Sequence, residues 1–540
     1  MVAQPGTAKI EPDPRVSTVP AAGFVASIDA ASGQIVEQIP ATAPETVPGL
    51  MAGAREAQKS WAGKSVRQRC TYLRKIRDAI YVHRQEVTAA ISLETGKPHV
   101  EAVFAELLLA LDSADFLARQ APERLRSEAV PHHNIGVKAK SGSLHFQPFG
   151  VLAIISPWNY PFSIPMAQIL PALVAGNAVL LKPSELTPRV GDVIGKIIAA
   201  AGVPSGLVQV LQGGGALGAA IIEANPDKVF FTGSVSTGKR IAEACARRLI
   251  PTSLELGGKD AMLVLADADL EIASSAAVWG GFMNCGQTCI SVERIYVEEP
   301  IAQPFIERCV EKAGKLRLGP PSDRDAEIGP MIRATQLEKV EEQLRDAVTQ
   351  GAQIAAGGKR RSDLGPTFFE PTVVTNVDQS MQLMREETFG PVIAIRPVKS
   401  ADEALALAND SEFALSASIW TGDAAKARTI AQQIRAGSVM INDVASYYGI
   451  TEAPHGGSRS SGWGRSHSRF GLLEMVQVKY VDVDLLPRTP KSWWFGYNEN
   501  VAAAADRFVD FLFAPRWTRR MAALASTRGA LGTVFRRHRI

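Results

Sequence analysis

The chain is poor in the residues that a disulfide-built, membrane-spanning or nucleic-acid-binding protein needs. Its 540 residues include five cysteines, an odd number scattered as Cys70, Cys245, Cys285, Cys289 and Cys309. That distribution speaks against a disulfide framework and for a reducing compartment, with the cytoplasm as the default. No run reaches the roughly 18 to 20 apolar residues of a membrane-spanning helix. The first residues, MVAQPGTAKIEPDPRV, have neither an apolar core nor a cleavage-site pattern, so a secretory leader is not expected. Lys and Arg number 58 against 55 Asp and Glu, a net charge of +3, too balanced for a nucleic-acid partner. No internal repeat is present, and no further Cys or His lies close to Cys285 and Cys289, so a zinc site is not expected.

What is present is an ordinary globular composition, with 46% hydrophobic and 21% charged residues, in a chain long enough for two to four domains. The first 25 residues are rich in Pro, Ala and Gly and read as an arm. From about Ala52 to Gln120 apolar residues recur at three- and four-residue spacing, which predicts helix, with ETGKPH separating two long helices through Gly96 and Pro98. Between Gly150 and Leu265 the short apolar runs VLAIIS, NAVLLK, LVQVL, KVFFTG and AMLVL alternate with helical segments. This predicts an α/β fold with a Rossmann-like parallel sheet covered on both faces, whose ligand sits beyond the carboxyl ends of the strands. The alternation continues to about residue 440 as a second α/β domain, and YVDVDLL (480–486) reads as a strand.

From Pro487 the composition changes. Trp493, Trp494 and Trp517 accompany an amphipathic helix around DRFVDFLF, then Arg516, Arg519, Arg520, Arg528, Arg536, Arg537 and Arg539, with no acidic residue after Asp510. A basic stretch rich in aromatic and aliphatic residues resembles a segment that lies on a membrane surface. The other reading is that it packs on a neighbouring subunit.

Five stretches could carry chemistry. GFMNCGQTCI (281–290) holds two cysteines four apart, too close for a good disulfide. A nucleophilic cysteine needs a lowered pKa and a partner for its proton, and spacing alone leaves open which of Cys285 and Cys289 reacts. In SLELGGKD (253–260), Glu255 interrupts an apolar run. Burial raises a carboxyl pKa, which suits a general base near neutral pH. In FTGSVSTGK, Gly233, Ser234 and Gly238 precede a helix expected near Lys239, where backbone amides favour phosphate. In KPSELTP (182–188), Lys182 and Glu185 follow a strand, where they could hold ribose hydroxyls. ISPWNYPF (155–162) offers Asn159 after another strand, a side-chain amide suited to an oxyanion.

Taken in order, PWNYPF, KPSE, FTGS, LELGGK, FMNCGQTC and EETFGPV resemble the aldehyde dehydrogenase superfamily of the hydrolytic, NAD(P)-dependent type, from about residue 25 to 485. The resemblance implies a cofactor domain over 26–255, with an oligomerisation hairpin near 130–147, and a catalytic domain over 256–440. A return segment and oligomerisation strand would cover 441–486, and the basic extension 487–540. It implies a homodimer or homotetramer. It also implies that Cys289 is the nucleophile, Glu255 the general base and Asn159 the oxyanion donor. Lys182 and Glu185 would hold the adenosine ribose, Ser234 the pyrophosphate with Gly233 shaping the turn, and Glu387 and Phe389 the nicotinamide ribose and ring. Ser156, Trp158 and Gly257 complete the cofactor set. Cys285 falls in a variable slot, where it could serve only as an oxidation partner. A carboxylate at Glu185 favours NAD, with NADP as the alternative, because it would repel a 2′-phosphate.

The chain also departs from the family. His455 stands in PHGG where many members have Phe, and Arg469 stands where a proton-relay glutamate is usual. Ala167 occupies a position where many succinate-semialdehyde enzymes carry a substrate-binding arginine. Tyr160, Ala167, Tyr447, Tyr448 and His455 are therefore the expected tunnel walls, and an uncharged aliphatic or aromatic aldehyde the expected substrate, converted to the carboxylic acid. The alternatives are succinate-semialdehyde dehydrogenase, a thiol acyltransferase or esterase, and a non-catalytic family member.

Overall fold

The structure is a computed structural model, and it describes residues 23–134, 137–489, 491 and 493–536. The expected N-terminal arm lies almost wholly outside the described residues, as do Arg537 and Arg539. The described chain forms two compact units. One comprises residues up to Leu125 with Gln147–Gln477, and the other Arg126–Phe146 with Val478 onward.

The first unit contains two large sheets. One has the spatial order Gly462–Trp463, Thr252–Glu255, Lys228–Thr232, Val151–Ile155, Ala178–Lys182, Val208–Val210. All neighbours are parallel except the terminal Gly462–Trp463 strand, which pairs antiparallel with Leu254 and Glu255. The runs Val151–Ile155, Ala178–Lys182 and Lys228–Thr232 are buried at every position, as expected of parallel strands covered on both faces. The helix Ser163–Ala175 that crosses between two of them is itself buried throughout.

The other sheet has seven strands, with Asp260–Val264 and Val292–Glu298 near its centre. The run AMLVL, grouped in the sequence with the cofactor sheet, thus belongs to the second sheet, and the chain changes sheets between Glu255 and Asp260. The mixed α/β architecture expected from the alternating pattern is the one observed.

Two helical expectations are corrected. Three helices, Val47–Ala62, Val66–Val82 and Arg84–Thr95, precede the ETGKPH break. Ser65 and Gln68 cap each other reciprocally and restart the chain at the second of these. After the break, His99–Ala102 leads through a π-turn at Val103–Leu107 into Leu108–Arg124. The helix after FTGS starts at Val235, because the Ser234 hydroxyl accepts from the Thr237 N–H and caps it there.

The second unit holds a three-stranded sheet of Glu128–Val130, Lys140–Pro148 and Val476–Asp484. Two helices, Glu499–Phe513 and Trp517–Arg536, pack against each other in the tail. Among the described residues no helix is long and apolar enough to cross a membrane.

Candidate active site

In the six-stranded sheet the connections run outward in opposite directions from Val151–Ile155 and Lys228–Thr232, which makes the gap between them a topological switch point. Ser156 to Asn159 follow the first of these strands, Gly233 and Ser234 the second, and Glu255 ends the next. The chemistry-bearing side chains therefore come from the carboxyl ends of adjacent strands.

The stretch with the two cysteines reaches them through an unusual turn. Asn284, Cys285 and Gly286 are successively left-handed, with φ of 51°, 55° and 71°. Glycine is required at the third, since a Cβ there would lie 2.0 Å from the Gly390 carbonyl. The turn is held by reciprocal side-chain bonds: Asn284 Nδ2 donates to the Gln287 carbonyl at 3.1 Å, and Gln287 Nε2 donates to the Asn284 carbonyl at 3.0 Å. Three bonds then join this stretch to the other strand end, one of them from Asn284 Nδ2 to the Asn159 carbonyl at 3.1 Å. Asn159 Nδ2 donates to the Gln287 carbonyl at 3.1 Å, and the Tyr160 hydroxyl pairs with that of Thr288 at 2.9 Å. Gly258 is the point of closest approach on the third side, where a Cβ would stand 2.1 Å from the Cys289 carbonyl.

Cys289 and Glu255 line one cavity of about 210 Å³. Its walls are mainly apolar, with Phe104, Leu109, Ile164, Trp279, Met283 and Ile290, and among the described residues no lysine or arginine borders it. Of the expected tunnel residues, Tyr160, Tyr448 and His455 are on the wall. Ala167 instead borders a separate, much smaller void with Pro171 and His467. Tyr447 is buried behind the wall, its hydroxyl 2.9 Å from His455 Nδ1.

Burial governs the charges here. It pushes the Glu255 carboxyl up to about 7. The Cys289 thiol is pushed up by burial and by the nearby carboxylates of Asp260, Glu387 and Glu255. Burial lowers His455 to about 3, so its imidazole is neutral at pH 7.

The expected cofactor residues surround the same strand ends. Lys182 Nζ donates to the Pro183 carbonyl at 2.9 Å, the Gly213 carbonyl at 2.8 Å and Glu185 Oε2 at 3.2 Å. Ser234 is exposed at the start of its helix, next to Gly233. Glu387 Oε1 accepts from the Gly258 N–H at 2.9 Å, and a Cβ on Gly257 would press on that carboxylate at 2.6 Å. Phe389 meets Trp158 edge to face at 5.5 Å. Among the described residues Ser156 Oγ is buried without a hydrogen-bond partner, which leaves a polar group free for a ligand. These residues fit a dinucleotide.

Sequence reasoning missed the support for Glu387 and Phe389. Lys259 and Glu293 form a buried ion pair, and Glu293 accepts from the N–H groups of Thr388 at 2.8 Å and Phe389 at 3.1 Å. The signal that singled out Glu255, a carboxylate inside an apolar strand run, was present at Glu293 in SVERIYV.

The aldehyde dehydrogenase family pattern matches residues 19–481. A 4,4′-diapolycopene aldehyde oxidase of Methylomonas sp. is 38% identical over 491 residues, 91% of each chain. A Mycolicibacterium smegmatis protein named provisionally as succinate-semialdehyde dehydrogenase (NADP(+)) is 40% identical over 452 residues, 83% of this chain and 87% of that one. The crystal structure of an NAD-dependent aldehyde dehydrogenase from Sinorhizobium meliloti superposes with a TM-score of 0.83 at 35% identity, covering 87% of this chain and 93% of the other. With this match across nearly its whole length, and with a cysteine and a raised carboxyl in one cavity at a sheet switch point, the chain belongs to the aldehyde dehydrogenase family of oxidoreductases that act on aldehydes.

Proposed function

We propose that the protein oxidises an uncharged, apolar aldehyde to its carboxylic acid with NAD as the preferred acceptor and NADP as the alternative. The observation that carries this reading is the cavity itself, where Cys289 and Glu255 share an apolar chamber bordered by no Lys or Arg among the described residues. The Cys289 thiolate, its proton lost to solvent, adds to the aldehyde carbon. The resulting oxyanion is held by the Asn159 amide and the Cys289 backbone N–H. When bound, NAD(P) supplies the two-electron acceptor for the aldehyde hydrogen. Lys182, Glu185, Ser156, Ser234, Glu387 and Phe389 are the residues to hold it, beside Trp158, Gly233 and Gly257. The thioester left on Cys289 is cleaved by water, whose proton passes to Glu255.

Preference for NAD is supported by the Glu185 carboxylate beside Lys182 Nζ, which accepts from a ribose 2′-hydroxyl but repels a 2′-phosphate. The Mycolicibacterium relative favours a succinate-semialdehyde reading, but among the described residues a substrate carboxylate would find no Lys or Arg on this cavity wall. Decanal and benzaldehyde should exceed succinate semialdehyde in kcat/KM by about 100-fold or more, because an unpaired buried charge costs about 3 kcal/mol. The measurement is NADH formation across the three aldehydes. Equal or inverted values would overturn the uncharged-substrate reading, and no NADH from any aldehyde would overturn the reaction.

The second unit supports two further readings. Its strand Val476–Asp484 is an edge strand with seven exposed residues in succession, among them Val478, Tyr480 and Val483, a surface suited to pairing between subunits of a dimer or tetramer. The tail carries exposed Trp493, Trp494, Phe495, Tyr497, Phe513 and Trp517, followed by the arginine-rich, acid-free sequence. Aromatic residues beside cations suit an anionic lipid surface. Deleting residues from 488 onward should release the enzyme from anionic vesicles with activity intact. Loss of assembly in size-exclusion chromatography, with vesicle binding never present, would favour packing on a neighbouring subunit instead. All five cysteines are free thiols, which supports placing the protein in a reducing compartment such as the cytoplasm.

A further inference from the structure

The sequence break ETGKPH leaves a charged residue that the reaction does not use. Lys97 follows Gly96, which is left-handed at φ +75° and packed so that a Cβ would lie 2.4 Å from the Pro330 ring. From there the lysine enters the core, where its side chain is fully buried. Its ammonium has three donors, and three acceptors meet them. Glu106 Oε1 lies at 2.6 Å, the Asn159 carbonyl at 2.9 Å, and the Tyr160 ring has its centroid 3.8 Å away.

Glu106 is equally buried and sits on the π-turn Val103–Leu107. Such one-turn widenings recur at functional sites. Its other oxygen accepts from the backbone N–H groups of Phe162 at 2.8 Å and Ser163 at 3.2 Å. These open the helix Ser163–Ala175, whose own N-cap residue, Phe162, has no side chain to cap it. The pair therefore grips residues 159 to 163 from both sides. The Asn159 carbonyl accepts a second bond, from Asn284 Nδ2 at 3.1 Å. With the peptide fixed, the Asn159 side chain spends one Nδ2 hydrogen on the Gln287 carbonyl and retains the other.

We propose that Lys97 and Glu106 are positioning residues, a buried ion pair that holds the Asn159 loop so that the remaining amide hydrogen of Asn159 meets the oxyanion formed on the Cys289 adduct. This rests on the reading of Asn159 as the oxyanion donor. A buried ion pair is a weak source of net stability compared with an apolar pair of the same shape. Its effect is directional, since among the described residues the remaining side-chain bonds of the pair end within residues 159–163. Oxyanion donors act through preorganised aim, so a small rotation of the loop is felt at the transition state more than in substrate binding.

A double-mutant cycle on the full-length enzyme tests this, with kcat and both KM values measured for wild type, Lys97→Met, Asn159→Ala and the double variant. Asn159→Ala should lower kcat by about 10²- to 10³-fold, as for the loss of one oxyanion donor. Lys97→Met should lower kcat by about 10- to 100-fold, with KM for NAD changed by less than about threefold. The double variant should lie within about threefold of Asn159→Ala alone, because residues acting through one group are not additive. Fold losses that multiply in the double variant would overturn the proposal, as would a Lys97→Met enzyme impaired chiefly in KM. If Lys97→Met does not fold, Glu106→Gln takes its place in the same cycle, with the same outcomes deciding. Near-normal activity in Asn159→Ala alone would overturn the underlying role of Asn159, a result distinct from additivity.

Discussion

Cys289→Ser is expected to abolish aldehyde-dependent NADH formation, a loss of about 10⁴-fold or more in kcat, whereas Cys285→Ser should retain most of the activity. The two cysteines are four residues apart but differ in surroundings. Cys289 opens onto the cavity that Glu255 also lines. Cys285 is 1% exposed and sits on the left-handed turn at φ 55°, within the apolar cluster under the second sheet. Serine is close to isosteric with cysteine, so both variants should fold. Only one should lose its nucleophile, because an alcohol ionises far less readily than a thiol. Steady-state NADH formation, together with the stoichiometry of iodoacetamide labelling, checks this. An inactive Cys285→Ser enzyme beside an active Cys289→Ser enzyme would reverse the assignment.

The difference between the two cysteines shows what the sequence made legible. The strands Val151–Ile155, Ala178–Lys182 and Lys228–Thr232 were visible because parallel strands buried on both faces must be apolar throughout. Glu255 was visible because a carboxylate in such a run is costly to bury. Pairings across long separations left no local pattern. Lys97 with Asn159 is separated by 62 positions, and Glu106 with Phe162 by 56. The turn at Asn284–Gly286 was hidden as well, since its consecutive left-handed residues include one, Cys285, that disfavours that conformation. The side on which Ala167 lies was unreadable for a different reason. Its helix Ser163–Ala175 is buried all round, so it has no polar face from which an orientation could be inferred. Ile164 of that helix borders the cavity with Cys289, whereas Ala167 borders the smaller void.

Glu255→Gln should convert the enzyme from continuous turnover to a single burst. With acylation intact, each active site should release about one NADH quickly. Later turnovers should slow by about 10²- to 10⁴-fold, the range expected when a general base is lost. The wild-type rate should also report the state of this carboxyl. Burial disfavours its charged form and holds it at about 7. Deacylation needs the ionised form, so log kcat should fall with a slope approaching one below pH 7 and level off above it. Glu255→Gln should lose that limb. Two other groups are separable. Glu387 is also raised to about 7 by burial, but in its proposed cofactor-holding role it should act through KM for NAD, and saturating cofactor removes its contribution. Cys289 is pushed up, so in the cofactor-free protein its ionisation belongs to a more alkaline range than that of Glu255. A Glu255→Gln enzyme that keeps multiple turnovers, or that keeps the limb near pH 7 at saturating NAD, would assign water activation to another residue. Loss of the burst itself would mean that Glu255 is needed earlier, when the Cys289 thiol gives up its proton, since it is the only carboxylate lining the cavity with that thiol among the described residues.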